Sequence, residues 1–200
     1  IISSGIAAVL VNQPRVSSVL PTLGPDYYGG TTEVVRHLAE VHGCRSIAFA
    51  GDPNASDDRQ RAWRDTVAQL GLEQVDIIPT DYRLSGGHRA GRELLTRSEL
   101  PDAVFAGSDQ LAFGLLGALG EAGLRVPQDL RLGAFDGSPQ SQFMIPPLTT
   151  AVVPMEAMAR DAIEHLLGTG EAVYLSYPTR LAIRGSCGCD SGAAGPTPPG

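Results

Sequence analysis

Short apolar runs alternate along this chain with segments whose apolar residues recur every three to four positions. That alternation predicts strands joined by amphipathic helices. Ile1-Ile2-Ser3-Ser4 reads as the end of a strand, Ala7–Val11 as a second that stops at Asn12, and Ser18–Leu23 as a third before Gly24-Pro25-Asp26. Thr31–His42 carries Val34, Val35, Leu38 and Val41 on one helical face and stops at Gly43. Ser46–Ala50 is a strand, and Gly51-Asp52-Pro53-Asn54 is rich in turn formers. Ser56 is placed to cap a helix with Trp63, Val67 and Leu70 inward and Gly71 at its end. Val75–Ile78 reads as a strand, and a helix starting at Ser85 turns Ala90, Leu94 and Leu95 to the core.

Pro101–Asp136 is the clearest unit. Ala103–Ala106 predicts a strand, Ser108-Asp109 a helix start, and Gln110–Ala122 a helix with Leu111, Leu115, Ala118 and Leu119 on its buried face. Gly123 and then Pro127 close the helix, and Leu130–Phe135 is the next strand, ending in Asp136. Two parallel strands joined by a helix place their C-terminal ends on one sheet edge, where open α/β sheets bind ligands. Ser108, Asp109 and Asp136 are therefore expected to converge on one crevice, which predicts a small-molecule binder. Leu148–Val153, Val173–Tyr177 and Leu181–Ile183 are further strands, and Met155–Leu167 is a helix.

This order predicts a doubly wound α/β protein with helices flanking parallel sheets. Residues 26–150 supply enough strands and helices for one closed lobe, whereas 1–23 and 154–176 supply only part of another. The reading is thus a partial N-lobe (1–23 and 154–176), a C-lobe (24–153 and 177–189) and a disordered tail (190–200) of small residues and proline. A half lobe implies that roughly a hundred or more residues precede Ile1 in the parent protein.

Composition narrows the chemistry. The 200 residues carry a net charge of −7, with a sequence pI near 5.0, which disfavours backbone-driven nucleic-acid binding by this segment alone. All basic residues are arginine, so Schiff-base and phosphate-loop lysine chemistry is excluded. The three cysteines do not form a disulfide framework. Cys187-Gly-Cys189 lies so near the end, with only Cys44 elsewhere, that neither a metal nor a cofactor is expected. No run reaches membrane-spanning length.

Arg59 is the most telling candidate, because a cation in the first turn of a helix opposes the macrodipole. Its fork suits paired hydroxyls or a carboxylate, while a local pair with Asp57 or Asp58 explains it equally well. Asp136 can accept hydrogen bonds from a polyol or hold Arg59, or simply start the turn at Gly137. Capping is the favoured role for Asp109 and ligand contact for Ser108. Tyr82 can stack on a sugar or base, or pack. Asn12 and Ser3 can face the crevice from the other side, with turn chemistry as the alternative for Asn12. No nucleophile elbow, phosphate loop or dinucleotide-binding glycine triplet is present, so an enzyme is not expected. Gly86-Gly87-His88 matches none of these, His42 reads as a structural helix end, and His37, His88 and His165 read as helix-surface residues.

At these residues the chain resembles the effector-sensing domain of the LacI/GalR transcription regulators. The resemblance rests on Gly30…His37-Leu38…His42-Gly43…Ile47-Ala48, Pro101-Asp102-Ala103-Val104-Phe105 and Ser108-Asp109-Gln110-Leu111-Ala112-Phe113-Gly114. It continues through Glu121–Pro127, Phe135-Asp136, Pro146–Thr150 and Arg184-Gly185-Ser186. It implies a two-lobed periplasmic-binding-protein-like fold whose strand crossings lie near Pro21–Gly24, Ala151–Pro154 and Tyr174–Pro178. It also implies a cytoplasmic homodimer that binds a sugar or purine effector, and operator DNA through a helix-turn-helix outside this chain. In that frame Arg59 grips the effector beside Asp136, Tyr82 stacks on it, and Asn12 and Ser3 face the crevice. Ser108 stands where asparagine is usual, and Val153 replaces a commonly polar hinge residue. An extracytoplasmic sugar-binding protein of the same fold, and a sugar-modifying α/β hydrolase, are the competing classes.

Overall fold

A computed structural model of the chain describes residues 7–13, 20–54, 57–73, 76–168 and 174–190. Two sheets organise it. Strands β1 (Leu10–Val11), β2 (Thr22–Pro25) and β8 (Tyr174–Tyr177) form a small parallel sheet in the order β1-β2-β8. The larger sheet comprises β3 (Ile47–Gly51), β4 (Ile78–Pro79), β5 (Ala103–Ala106), β6 (Arg131–Asp136), β7 (Thr149–Val152) and β9 (Arg180–Ala182). Its order is β4-β3-β5-β6-β7-β9, parallel except for β9, which runs antiparallel to β7.

The strands of the larger sheet are apolar on both faces because helices cover both faces. On one side α1 (Tyr27–Arg36) and α2 (Asp58–Gln69) bury Val34, Val35, Trp63 and Val67 with Phe49, Phe105 and Phe135. On the other, α3 (Leu84–Leu94) and α4 (Asp109–Glu121) bury Leu94, Leu111, Leu115 and Leu119 with Val104 and Leu132. Gly87 and Gly114 let these two helices touch backbone to backbone: an added Cβ at Gly87 runs into the Leu111 carbonyl, and one at Gly114 into that of Leu84. The fifth helix, α5 (Met155–Leu167), follows β7 and packs against the small sheet.

Several local expectations are corrected. The first helix starts at Tyr27, four residues earlier than the apolar spacing suggests, because Asp26 caps it by accepting the Gly29 amide at 2.8 Å. It then widens into a π-helical turn, His37–Val41. The added residue rotates the face, so Leu38 is buried but Val41 is 62% exposed rather than inward. Asp57, not Ser56, caps α2 through the Arg59 amide. Ser56, Val75, Val173 and the tail 191–200 lie outside the described residues, as does Ser3.

Candidate functional site

The C-terminal ends of β3, β5 and β6 open onto one crevice, with Asn12, just past β1, on its opposite wall. A cavity of about 280 Å³ there is lined by Asn12, Gln13, Tyr27, Arg59, Tyr82, Ser108, Gln110 and Asp136. A larger hollow of about 740 Å³ meets it at Asn12 and Asp136 and extends to Val153 and the first turns of α5. We place the chemistry in the smaller one because the charged and aromatic groups converge there. Five of the six residues singled out in the sequence are thus brought together, and Ser3 lies outside the described residues.

Arg59 is held from below and presented from above. Its Nε and Nη2 donate to the Asp57 carboxylate at 2.8–3.1 Å, and its Nη1 donates to the Gly107 carbonyl at 2.6 Å. The local pairing foreseen with Asp57 therefore exists, and it positions the guanidinium for the crevice instead of removing it. Burial opposes both charges, yet their mutual hydrogen bonding wins: the Asp57 carboxyl is held below its usual range and the Arg59 guanidinium above. The guanidinium lies over the rings of Tyr82 (4.6 Å), Tyr27 (4.9 Å) and Phe135 (5.8 Å). The Tyr82 hydroxyl donates to Asp57, completing a clamp. Of the five guanidinium N–H groups, three are directed at Asp57 and Gly107, which leaves two for a bound molecule.

Asp136 does not hold Arg59. It accepts the Asp109 amide at 3.3 Å, the first N–H of α4. Its backbone takes φ of 122°, a region L-residues avoid and tolerate mainly at functional positions. Burial, reinforced by the nearby Asp109 carboxylate, pushes its carboxyl up to about 7. Asp136 is thus poised to ionise when a hydroxyl or cationic partner arrives.

The helix cap expected of Asp109 is supplied by Ser108, which keeps its place at the cavity. Ser108 caps α4, its Oγ accepting the Leu111 amide at 3.3 Å, while also lining the cavity. Asp109 instead turns into the protein. Its Oδ2 accepts the Ser138 amide (2.6 Å) and hydroxyl (2.7 Å), and its Oδ1 the Thr150 hydroxyl (2.8 Å). It fixes the turn after β6 and hence the Asp136 backbone. Missed in the sequence was Tyr27, which stacks on Phe135 and donates to both the carbonyl and the side-chain oxygen of Asn12 (3.1 and 3.2 Å). Burial pushes its hydroxyl up to about 12, so it stays a donor. Asn12 itself sits at φ 57°, a left-handed conformation that asparagine accepts.

A second cluster was discounted on sequence grounds. His37, read as a surface residue, is buried, and it meets His42, Cys187 and Cys189 at the opposite sheet edge.

A small parallel sheet facing a larger one across a ligand-sized crevice is the architecture of a two-lobed binding domain. The chain belongs to the periplasmic-binding-protein-like domain family, whose model matches residues 35–187. Among curated relatives, it is 28% identical over 91% of its length to the HTH-type transcriptional repressor MelR of Bacillus subtilis (strain 168), covering 57% of that protein. It is 32% identical over 80% of its length to the HTH-type transcriptional regulator CelR of Thermobifida fusca, covering 50% of it. The solved structure of a transcriptional regulator CelR–cellobiose complex superposes with a TM-score of 0.76 at 30% identity, over 89% of this chain and 58% of that one. The chain therefore spans about half the length of the curated relatives it matches, and those relatives are HTH-type transcriptional regulators.

Proposed function

We propose that this chain is the effector-sensing and dimerisation domain of a LacI-type transcriptional repressor. On this reading it binds a sugar-like ligand between two lobes and is not an enzyme. The observation that carries the reading is the clamped Arg59, which keeps two N–H groups free beside Tyr27, Tyr82 and Asp136 in one crevice. Arginine donors, carboxylate acceptors and aromatic faces are the groups that recognise vicinal hydroxyls and the apolar side of a pyranose or furanose. A purine would also satisfy them.

In this reading residues 1–23 and 154–176 belong to the N-lobe, and 24–153 with 177–189 form the C-lobe. Ser3 and Asn12 would face the ligand from the N-lobe. A ligand bridging the lobes changes DNA affinity only through its preference for one lobe arrangement. Operator DNA would be contacted by a helix-turn-helix elsewhere in the parent protein, acting as a cytoplasmic dimer. No helix among the described residues is long and apolar enough to cross a membrane.

The test is operator binding by the full-length protein, measured across a panel of pentoses, hexoses, disaccharides and purines. One compound should change DNA affinity, and Arg59→Lys should abolish its effect. Secretion of the protein without DNA binding would favour the extracytoplasmic alternative instead.

A further inference from the structure

The sheet edge opposite the crevice gathers four soft donors from two distant parts of the chain. The π-helical turn carries His37 at its start and His42 just past its end, and the five-residue spacing brings both rings to one side. The other pair comes from the C-terminal turn, where Gly188 between Cys187 and Cys189 adopts φ of 105°, so that both thiols face the histidines. This turn is anchored independently of the cluster. The Ser186 hydroxyl donates to the Leu132 carbonyl at 2.6 Å and accepts the Thr149 amide at 2.8 Å, and the Ser186 amide donates to the Pro147 carbonyl at 2.9 Å. The cysteine half of the donor set is therefore anchored through Ser186 in addition to the contacts among the donors.

Four distances within the set are close to those of a coordination shell. His37 Nε2 lies 3.2 Å from His42 Nε2, 3.3 Å from Cys187 Sγ and 3.6 Å from Cys189 Sγ, and Cys189 Sγ lies 3.4 Å from His42 Nε2. All four donor atoms fall within 4.8 Å of one another. Bond lengths of about 2.0 Å to nitrogen and 2.3 Å to sulfur around one tetrahedral ion give edges of about 3.3–3.8 Å. Hydrogen bonding alone does not account for the arrangement. A ring nitrogen offers one proton or one lone pair, yet His37 Nε2 meets three heteroatoms at once. A cation at their centre satisfies all four donors together.

We propose that His37, His42, Cys187 and Cys189 bind one Zn²⁺ ion in a closed tetrahedral S₂N₂ site that staples the C-terminal turn to the end of the first helix. Two nitrogens and two thiolates select zinc over the harder divalent ions, and four protein ligands leave no open position, so the site is structural. The histidine spacing fits zinc-binding pairs, while the cysteine pair is one residue tighter than usual, which the left-handed Gly188 accommodates. Binding would release up to two thiol protons and close a loop of 150 residues between His37 and Cys187. The site lies at the start of β6 (Arg131), whereas the crevice lies at its end (Asp136). One strand therefore separates the two, and effector binding should not require the zinc ligands.

The test uses full-length protein purified without chelator, with metal content measured by elemental mass spectrometry. About one zinc per chain is expected. His42→Gln and Cys189→Ser, whose sites are partly exposed, should each weaken zinc binding by at least about 100-fold, since even outer-shell partners are worth 10–100-fold. Cys44→Ala, outside the donor set, should keep its zinc. Cobalt exchanged into the site should show the visible bands of a tetrahedral ion with thiolate charge transfer. Folded protein with no stoichiometric zinc, and no such bands on cobalt loading, would overturn the proposal. That result would leave a hydrogen-bonded thiol–imidazole cluster in which Cys187 donates to the Arg184 carbonyl at 3.1 Å. A Cys187–Cys189 disulfide in protein kept under reducing conditions would overturn it as well.

Discussion

The two edges of the larger sheet solve the same problem in different ways. Each buries polar groups where strands end. At the crevice edge the groups are charged and hard: Arg59 against Asp57, and Asp136 against the start of α4. They are only partly satisfied, and one of them sits on strained backbone. At the far edge the groups are imidazoles and thiols, drawn from residues 150 apart, and they converge on one another. An edge that must exchange a ligand keeps spare hydrogen-bonding capacity and strain. At the far edge four side-chain donors instead meet one another.

Breaking the Asp57–Arg59 clamp should show the largest effect. Arg59→Ala strands the Asp57 carboxylate, whose side chain is 8% exposed, and the Gly107 carbonyl. A loss of about 3 kcal/mol in denaturant unfolding is expected, together with loss of effector binding. Arg59→Lys should recover much of that stability without the binding, because an ammonium cannot reproduce the fork. Next in size is Asp109→Ala, which removes three hydrogen bonds to a buried carboxylate and should cost about 2–3 kcal/mol.

Asp136 sharpens the contrast through pH. Its folded-state pKa of about 7 exceeds the ordinary 3.8, so the folded protein holds the proton more tightly than the unfolded chain does. Its contribution to stability is therefore fully present below about pH 4 and is lost as pH rises from there to about 7. Asp136→Asn should flatten that part of a stability-versus-pH curve. Asp136→Gly should relieve the positive φ and raise stability by about 1 kcal/mol while weakening effector binding. A gain in stability paired with a loss of affinity is the signature of a position kept for function. Smallest is Ser108→Ala, where losing the α4 cap should lower stability by about 1 kcal/mol.

The same contrast explains what was legible in the sequence. Asp136, Asn12, Ser108 and Tyr82 lie at or just past strand ends, so finding the strands reaches them, whereas Arg59 stands out as a cation in the first turn of a helix. That Ser108 and not Asp109 caps the helix was not legible, because both residue types cap helices. Only the fold shows that Asp109 meets Ser138 and Thr150. Tyr27 was hidden because the helix begins before its apolar spacing does. The far edge was illegible for a different reason. His37 looks like an exposed helix residue and His42 like a structural helix end until a π-helical turn aligns them, and Cys187 and Cys189 find partners only through tertiary packing.

On the proposed function, the crevice senses a small hydroxyl-bearing effector through Arg59. Calorimetric titration of the full-length protein with the effector-panel hit, beside Arg59→Lys, tests it most directly. Saturable one-site binding to the parent is expected, with at least a tenfold weaker interaction in the variant, equivalent to about 1.4 kcal/mol or more. Binding of equal strength to both proteins would contradict it.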